Sequence, residues 1–319
     1  RYENDGNADP SFSAVDIDTN ADGATSVFAA DMDGDGDMDI ISASRDDDTI
    51  AWYENNGNAN PAWTARNIVS FPIHATSADG ARSVYAADMD GDRDMDIVSA
   101  SENDDTIAWY ENDGSGSFTA YTIATSAGLA NAVYAADLDG DGDQDVISSA
   151  HDFDEIAWYE NDGSGSFGSQ IIISTDADYA YSVYAVDVDG DGDKDVLSAS
   201  ANDNTIAWYE NDGAADPSWT AADIATSADG ARGVFIADMD GDGDMDIVSA
   251  SVNDNTIAWY ENDGATDPTW AKTVIATSAN GAFDVYAADM DGDGDMDLLT
   301  STRNNNATEY DPVSWWENN

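Results

Sequence analysis

The chain contains no cysteine, so neither a disulfide nor a thiolate metal site can hold it together. Cations are almost as scarce, with 9 Lys plus Arg against 67 Asp plus Glu in 319 residues and a formal net charge of −58. Nucleic acid, itself a polyanion, needs a cationic footprint and is excluded as a partner. No apolar run reaches the ~18 residues that suggest a membrane-spanning helix, so no membrane span is expected. No apolar signal region follows Arg1, and the sequence reads as a mature or excised portion. Only two histidines occur, His74 and His151. Neither accompanies a nucleophile motif, which gives catalysis little support. Against these absences stand ten tryptophans and an aromatic content of 10%, more than an acidic disordered tail carries. The chain is expected to bury a core.

Self-comparison shows a repeat. The segment D-M-D-G-D-G-D-M-D-I-I-S-A-S begins at Asp31, and related segments begin at Asp88, Asp137, Asp187, Asp238 and Asp289, spaced by 57, 49, 50, 51 and 51 residues. A second marker, W-Y-E-N, starts at Trp52, Trp109, Trp158, Trp208 and Trp259, returns as W-W-E-N at Trp315, and has a partial copy at Tyr2–Asn4. Six repeats of about 50 residues therefore fill residues 1–319 as a single expected domain.

Each repeat carries four strand-like runs. In the second these are Val84–Ala87 entering the Asp loop, Ile97–Ser101 leaving it, Thr106–Asn112, and a last run ending at Ile123–Ser126. Thr106–Asn112 alternates with period two and is apolar on both sides, so both of its faces should be covered by neighbours. Four short strands per repeat, each sheet stacked between two others, describe an all-β, six-bladed β-propeller of four-stranded blades. The ends suggest closure: an N-terminal fourth strand at Val15–Asp18 would complete the blade begun by the C-terminal three, the last at Ser314–Asn318. Tyr2–Asn4 is then surplus, a remnant of another repeat or an extra edge strand. The alternative of seven blades needs strands that the six repeats do not supply.

The strongest chemical signal is the loop D-x-D-G-D-G-D-x-D. Hard cations such as Ca2+ take six to eight oxygens, and carboxylates at loop positions 1, 3, 5 and 9 can converge if the chain turns sharply after position 5. Glycine stands at position 6 in five loops, where a positive φ costs it little; Arg93 replaces it in the second loop, which should weaken that site. The candidate metal residues are Asp31, Asp33, Asp35, Asp37 and Asp39; Asp88, Asp90, Asp92, Asp94 and Asp96; Asp137, Asp139, Asp141, Asp143 and Asp145; Asp187, Asp189, Asp191, Asp193 and Asp195; Asp238, Asp240, Asp242, Asp244 and Asp246; and Asp289, Asp291, Asp293, Asp295 and Asp297. Position 7, Asp37 in the first loop, is expected to offer its carbonyl. About six Ca2+ per chain would leave the protein strongly acidic. Without a cation, five carboxylates within nine residues repel one another.

The loops and the run V-Y-A-A-D-M-D-G-D-G-D-M-D-I-V-S-A-S resemble FG-GAP-like (VCBS-type) repeats, which also build integrin α-subunit heads. The resemblance covers essentially the whole chain. It implies calcium in the hairpin between first and second strands, an extracellular setting, and a binding or adhesion role. The Phe-Gly and Gly-Ala-Pro triplets of the family signature are not evident here, and its better-known propellers have seven blades.

Two positions differ most between repeats. One lies just before the first strand: Thr25, Arg82, Asn131, Tyr181, Arg232 and Phe283. The other follows the second strand: Arg45, Glu102, His151, Ala201, Val252 and Arg303. Because the first strand runs toward the Asp loop and the second away from it, both should crowd the face opposite the loops. That face is the candidate ligand surface, through Arg45, Arg82, His151, Tyr181, Arg232, Phe283 and Arg303; the alternative is drift, with each Arg paired to a neighbour such as Asp46. The Trp of W-Y-E-N reads as core. Trp63, Trp219 and Trp270 read as packing under turns. Asn306-Ala307-Thr308 is a glycosylation sequon.

The expected function is a secreted or surface-displayed calcium-binding module that recognises a glycan or extracellular protein without catalysis. The alternative is a structural subunit or spacer of a surface fibre or large adhesin, self-assembling through the surplus N-terminal strand. A polysaccharide lyase or hydrolase is the third reading.

Overall fold

The computed structural model describes residues 1–4, 12–58, 60–69, 78–303 and 313–318. His74 and the Asn306 sequon lie outside them. Among the described residues every regular element is a β-strand, and no helix is long and apolar enough to cross a membrane.

Six antiparallel sheets follow one another along the chain, the six-bladed β-propeller that the repeats predict. The first blade comprises Ala24–Ala30, Asp39–Ser44, Thr49–Asn55 and Trp63–Val69. The second comprises Ala81–Ala87, Asp96–Ser101, Thr106–Asn112 and Phe118–Ala124. Its third strand matches the sequence expectation; its first begins three residues earlier than Val84. The polar start Ala81-Arg82-Ser83 masks that extension, since it carries no apolar alternation. The third blade begins at Ala130, the fourth at Ala180 and the fifth at Ala231, each with four strands in sequence order. The sixth comprises Ala282–Ala288, Asp297–Thr302 and Val313–Trp316 among the described residues.

The chain divides into two compact units. One, Asp16–Asp176, holds the first three blades; the other, Arg1–Val15 with Ala177–Asn319, holds the last three and the N-terminal strands. Within each unit the core lies between successive blades, because a blade's second and third strands present apolar side chains on both faces. Ile41 and Trp52 of the first blade pack with Ala81, Val84, Ile97 and Tyr110 of the second. Val98 and Trp109 of the second pack with Val133, Val146 and Tyr159 of the third. The later unit repeats this: Leu197 and Trp208 meet Val234, Ile247 and Tyr260. Truncating one of these isoleucines to alanine costs about 2–5 kcal/mol, since close packing leaves a cavity.

The N-terminal strand is Phe12–Ala14, not Val15–Asp18, and its partner is Tyr2–Asn4. Asn4 faces Phe12 in the same register in which Asn112 faces Phe118 and Asn55 faces Trp63. Tyr2–Asn4 and Phe12–Ala14 thus form a separate two-stranded ribbon with third- and fourth-strand register, and Tyr2–Asn4 is additional to the sixth blade's own third strand, Val313–Trp316. The ribbon meets the sixth blade through Phe12, edge-on to Trp315 at 6.2 Å between ring centroids. Trp109 and Phe167 make the same contact between neighbouring blades, so this placement of the N-terminal strands is consistent with closure.

Candidate metal centres and the opposite face

The Asp loops join the first and second strands of each blade. In the second loop the backbone folds onto its own carboxylates: Gly91 N–H donates to Asp88 Oδ1 at 2.8 Å and Arg93 N–H to Asp88 Oδ2 at 3.0 Å. Asp92 N–H donates to Asp90 and Asp94 N–H to Asp92. The same pattern runs through the third to sixth loops, as in Gly292 and Gly294 donating to Asp289. Turning the chain this tightly puts position 6 at φ between 92 and 104° in the glycine loops, and Arg93 at 81°. A Cβ there costs on the order of 1–3 kcal/mol.

This fold brings carboxylate oxygens within 4.8 Å of one another in sets that use positions 1, 3, 5 and 9: Asp31 with Asp33 and Asp35, Asp88 with Asp90 and Asp96, Asp137 with Asp139 and Asp141, Asp187 with Asp189 and Asp195, Asp238 with Asp240 and Asp246. None of these five sets includes position 7. Those carboxylates (Asp37, Asp94, Asp143, Asp193 and Asp244) lie against the glycine that follows W-Y-E-N. A Cβ at Gly114 would stand 2.4 Å from Asp94 Oδ2, which explains the glycine.

Burial and mutual repulsion both show in the acidities. Burial pushes Asp96, Asp145 and Asp195, all at position 9, up to about 7, against hydrogen bonds that favour their charged form. At position 3, burial again leads in raising Asp33, Asp90, Asp139 and Asp189, with neighbouring carboxylates adding to it. All-oxygen, anionic donor sets on tight loops fit a hard divalent cation, which would neutralise them.

The W-Y-E-N segment is part of this site, a role that its reading as core missed. Trp52 Nε1–H donates to Asp39 Oδ2 at 2.9 Å, and Asn55 N–H to Asp39 Oδ1 at 2.7 Å. Asn112, Asn161, Asn211 and Asn262 donate their N–H groups to the position-9 Asp of their blades at 2.8 Å. The Asn side chains then reach the preceding blade: Asn112 Nδ2–H donates to Met32 O at 2.7 Å, Asn161 to Met89 O at 2.6 Å, Asn262 to Val188 O at 3.0 Å and Asn318 to Met239 O at 2.9 Å. Each acceptor is the position-2 carbonyl of an Asp loop. Asn thus ties one loop's socket to the preceding loop's backbone. Trp sits 13 and Asn 16 residues after position 9 in each of the first five repeats, a fixed spacing that could have revealed the link.

At the other end of each blade the two variable positions do meet. The first is not before the first strand but inside it, as the extra residue of a β-bulge: pairing skips from Ala180 to Ser182, from Ala231 to Gly233 and from Ala282 to Asp284. Thr25, Arg82 and Asn131 occupy the same bulge in the other unit. A bulge residue has no residue directly opposite it in the ladder and its side chain is re-aimed, which accounts for its variability. The second variable position is held by a backbone hydrogen bond, as in Arg45 N–H to Gly23 O and Arg303 N–H to Gly281 O.

In the unit Asp16–Asp176 three expected ligand residues gather around one acid. Arg82 donates to Glu102 at 2.5 Å. Despite burial, the Arg82 contact and the nearby His151 and Arg45 hold the Glu102 carboxyl below the usual range. Arg45 pairs with Asp46 at 2.8 Å, as the pairing alternative anticipates. His151 is not at an exposed loop tip; it is 3% exposed, because it closes the second strand beneath Leu129.

In the other unit Tyr181, Arg232, Phe283 and Arg303 come together. The Arg232 guanidinium lies 3.9 Å from the Tyr181 ring centroid and 5.0 Å from that of Phe283. Arg303 lies 5.8 Å from Phe283. Tyr179 joins at 5.2 Å from Tyr181, ring edge to face. Its φ of 62° is a left-handed conformation that glycine occupies at the equivalent positions 23, 80, 230 and 281. Trp63, Trp219 and Trp270 are half-buried.

A second aromatic set escaped the sequence reading. Phe28, Tyr85 and Tyr134 form one contiguous arc on first strands, at 4.5 and 4.4 Å between centroids. Tyr184, Phe235 and Tyr286 form another in the second unit, at 5.5 and 4.4 Å. The signal was an aromatic at the same register of all six V-Y-A-A-type runs, which reads as alternating core until the strand's place in the blade is known.

Six antiparallel blades, each with an acidic first hairpin, define a β-propeller of acidic-loop repeats. The FG-GAP-like repeat model matches residues 31–99, 88–148, 137–198, 187–249 and 240–300, and the chain belongs to that family. No curated protein matches the sequence. Among solved structures it is similar to an Agrocybe aegerita lectin that recognises non-reducing terminal N-acetylglucosamine, at 21% identity and TM-score 0.57, covering 80% of this chain and 66% of the lectin. It is also similar to virginiamycin B lyase from Staphylococcus aureus, at 12% identity and TM-score 0.59, covering 88% and 78%. A third is the V. cholerae biofilm matrix protein Bap1, at 22% identity and TM-score 0.51, covering 84% of this chain but 42% of Bap1. At these identities the likeness is one of fold.

Proposed function

We propose that this propeller is a calcium-stabilised, secreted or surface-displayed module that recognises a glycan and performs no chemistry on it. The observation that carries this reading is the gathering of Tyr181, Arg232, Phe283 and Arg303 at the blade end remote from the Asp loops. Calcium would be held by the carboxylates at positions 1, 3, 5 and 9 and would supply charge neutralisation and loop rigidity. Extracellular modules bind it at about 10⁻⁴–10⁻³ M, concentrations met outside cells. A rigid scaffold frees the opposite face to vary, as the bulge residues do. That propellers of similar fold include a lectin and a biofilm matrix protein makes saccharides the first class to test. The test is a saccharide array probed with calcium-loaded protein, read with assays for new reducing ends and unsaturated products. Saturable hits without product formation support the reading; product formation would move the protein to the lyases or hydrolases.

The rival is a structural role in fibre or adhesin assembly. It draws on the sixth blade, whose described strands number three where its neighbours have four. Light scattering in calcium separates the two, since a dispersed monomer argues against self-assembly.

A further inference from the structure

We propose that the Tyr181–Arg232–Phe283–Arg303 cluster takes a carboxylate-bearing sugar, a uronate or sialate residue, with the arginines receiving the carboxylate and the rings lining the sugar. This rests on the recognition reading above and names its ligand class.

The argument starts from supply and demand of charge. The protein has 67 acidic residues for nine basic ones, so carboxylate partners are plentiful. On this face Arg45 and Arg82 are paired with Asp46 and Glu102. Arg232 and Arg303, like Arg93 in the second Asp loop, make no ion pair among the described residues. The nearby carboxylates are engaged otherwise. Asp178 accepts from Asn202, Asp229 from Asn253, and Asp284 from the Val285 N–H. Arg232 Nε is buried and makes no hydrogen bond, whereas its terminal nitrogens are not enclosed in this way; they are the donors left to receive an anion.

Geometry adds a second, independent line. The Arg232 guanidinium lies over the Tyr181 ring at 3.9 Å and beside Phe283 at 5.0 Å, the two rings meeting edge to face, so aromatic contact on two sides restricts its orientation. A guanidinium pre-organised by stacking is suited to planar, bidentate carboxylate recognition. The two rings come from the neighbouring first strands, each at the same bulge, so the cluster is a product of the repeat itself. Tyr179, like Leu129 at the equivalent position of the third repeat, holds a left-handed backbone where the other four repeats have glycine. Its ring abuts Tyr181 and extends the aromatic wall. Aromatic faces with a polar handle suit the C–H faces of sugars better than a flexible acidic peptide. The molecule's overall negative charge does not forbid an anionic ligand, because at physiological ionic strength charges more than about 8 Å away are largely screened.

The experiment is titration calorimetry of the calcium-loaded full chain with an oligogalacturonate, its methyl ester, sialyllactose, neutral oligosaccharides and a polyglutamate peptide. The variants are Arg232→Gln, the exposed Arg303→Gln, and, as a control, Arg66→Gln, whose guanidinium pairs with Glu54, each checked for an unchanged melting temperature. Expected is binding of an acidic saccharide, lost on esterification and weakened roughly tenfold or more by Arg232→Gln or Arg303→Gln but not by Arg66→Gln. The two acidic saccharides distinguish uronate from sialate. Because Arg303 is exposed, its variant keeps the test valid even if Arg232→Gln unfolds. Equal binding of acid and ester, or of neutral sugars alone, overturns the carboxylate inference and leaves glycan recognition standing. Tighter binding of polyglutamate overturns it in favour of an acidic peptide. No saccharide binding at all overturns both readings.

Discussion

Replacing Asn112 by alanine tests whether W-Y-E-N is a structural joint between blades rather than only a strand marker. The Asn112 amide donates to Met32 O in the preceding blade and to Met95 O in its own, at 2.7 and 3.0 Å, and the residue is fully buried. Alanine leaves two carbonyls without that donor in a site too enclosed for free hydration. Each such loss costs about 1–3 kcal/mol, so about 2–6 kcal/mol is expected. In a unit of this size that is a fall of roughly 5–20 °C in melting temperature. Asn55→Ala is the internal control. Its amide donates to Met38 O of its own loop at a solvent-exposed site, and its loss should cost under about 1 kcal/mol because water replaces it. Urea unfolding in saturating calcium, followed by tryptophan fluorescence, reads both. Equal destabilisation by the two variants, or less than about 0.5 kcal/mol for Asn112→Ala, would refute the argument.

Three further outcomes follow from the same geometry. Arg93→Gly relieves the left-handed strain at position 6 of the second loop and should raise the melting temperature in calcium by a few degrees, for about 1 kcal/mol; differential scanning calorimetry checks it, and a lower melting temperature counts against the strain. Gly114→Ala should do the reverse, since its Cβ would collide with Asp94 and its φ is 71°; a cost below about 1 kcal/mol would contradict that packing. The third concerns pH. Folding raises Asp96, Asp145 and Asp195 to about 7, so in metal-free protein their protonated forms contribute stability at low pH that is lost as pH rises through about 7. Calcium needs the ionised forms. With chelator the melting temperature should fall between pH 5 and 8, and the increment due to calcium should grow across that window; two parallel curves would sink the assignment.

What the sequence disclosed, it disclosed through repetition. The Asp loops and W-Y-E-N recur at nearly fixed spacing, so blade number, strand order and the convergence of positions 1, 3, 5 and 9 were readable without a partner chain or an alignment. The face holding Arg232 and Phe283 was readable because strand direction fixes which end a variable residue occupies. What stayed hidden is what period-two alternation does not encode. A bulge shifts register without changing composition, so Arg82 and Arg232 looked like residues outside a strand. The Trp52–Asp39 bond joins residues on different strands, and nothing in either segment alone says that an indole serves a carboxylate. His151 looked exposed because it borders a turn, although neighbouring strands bury it. The N-terminal strand, at Phe12–Ala14 rather than Val15–Asp18, stayed hidden because it is short and lies before the apolar run.

Metal content measured together with thermal unfolding tests the central claim most directly. One calcium per Asp loop, six per chain, with a large fall in melting temperature on chelation, is the result the account predicts. No bound metal and a melting temperature indifferent to chelator would contradict it, and would leave the six loops as acidic turns.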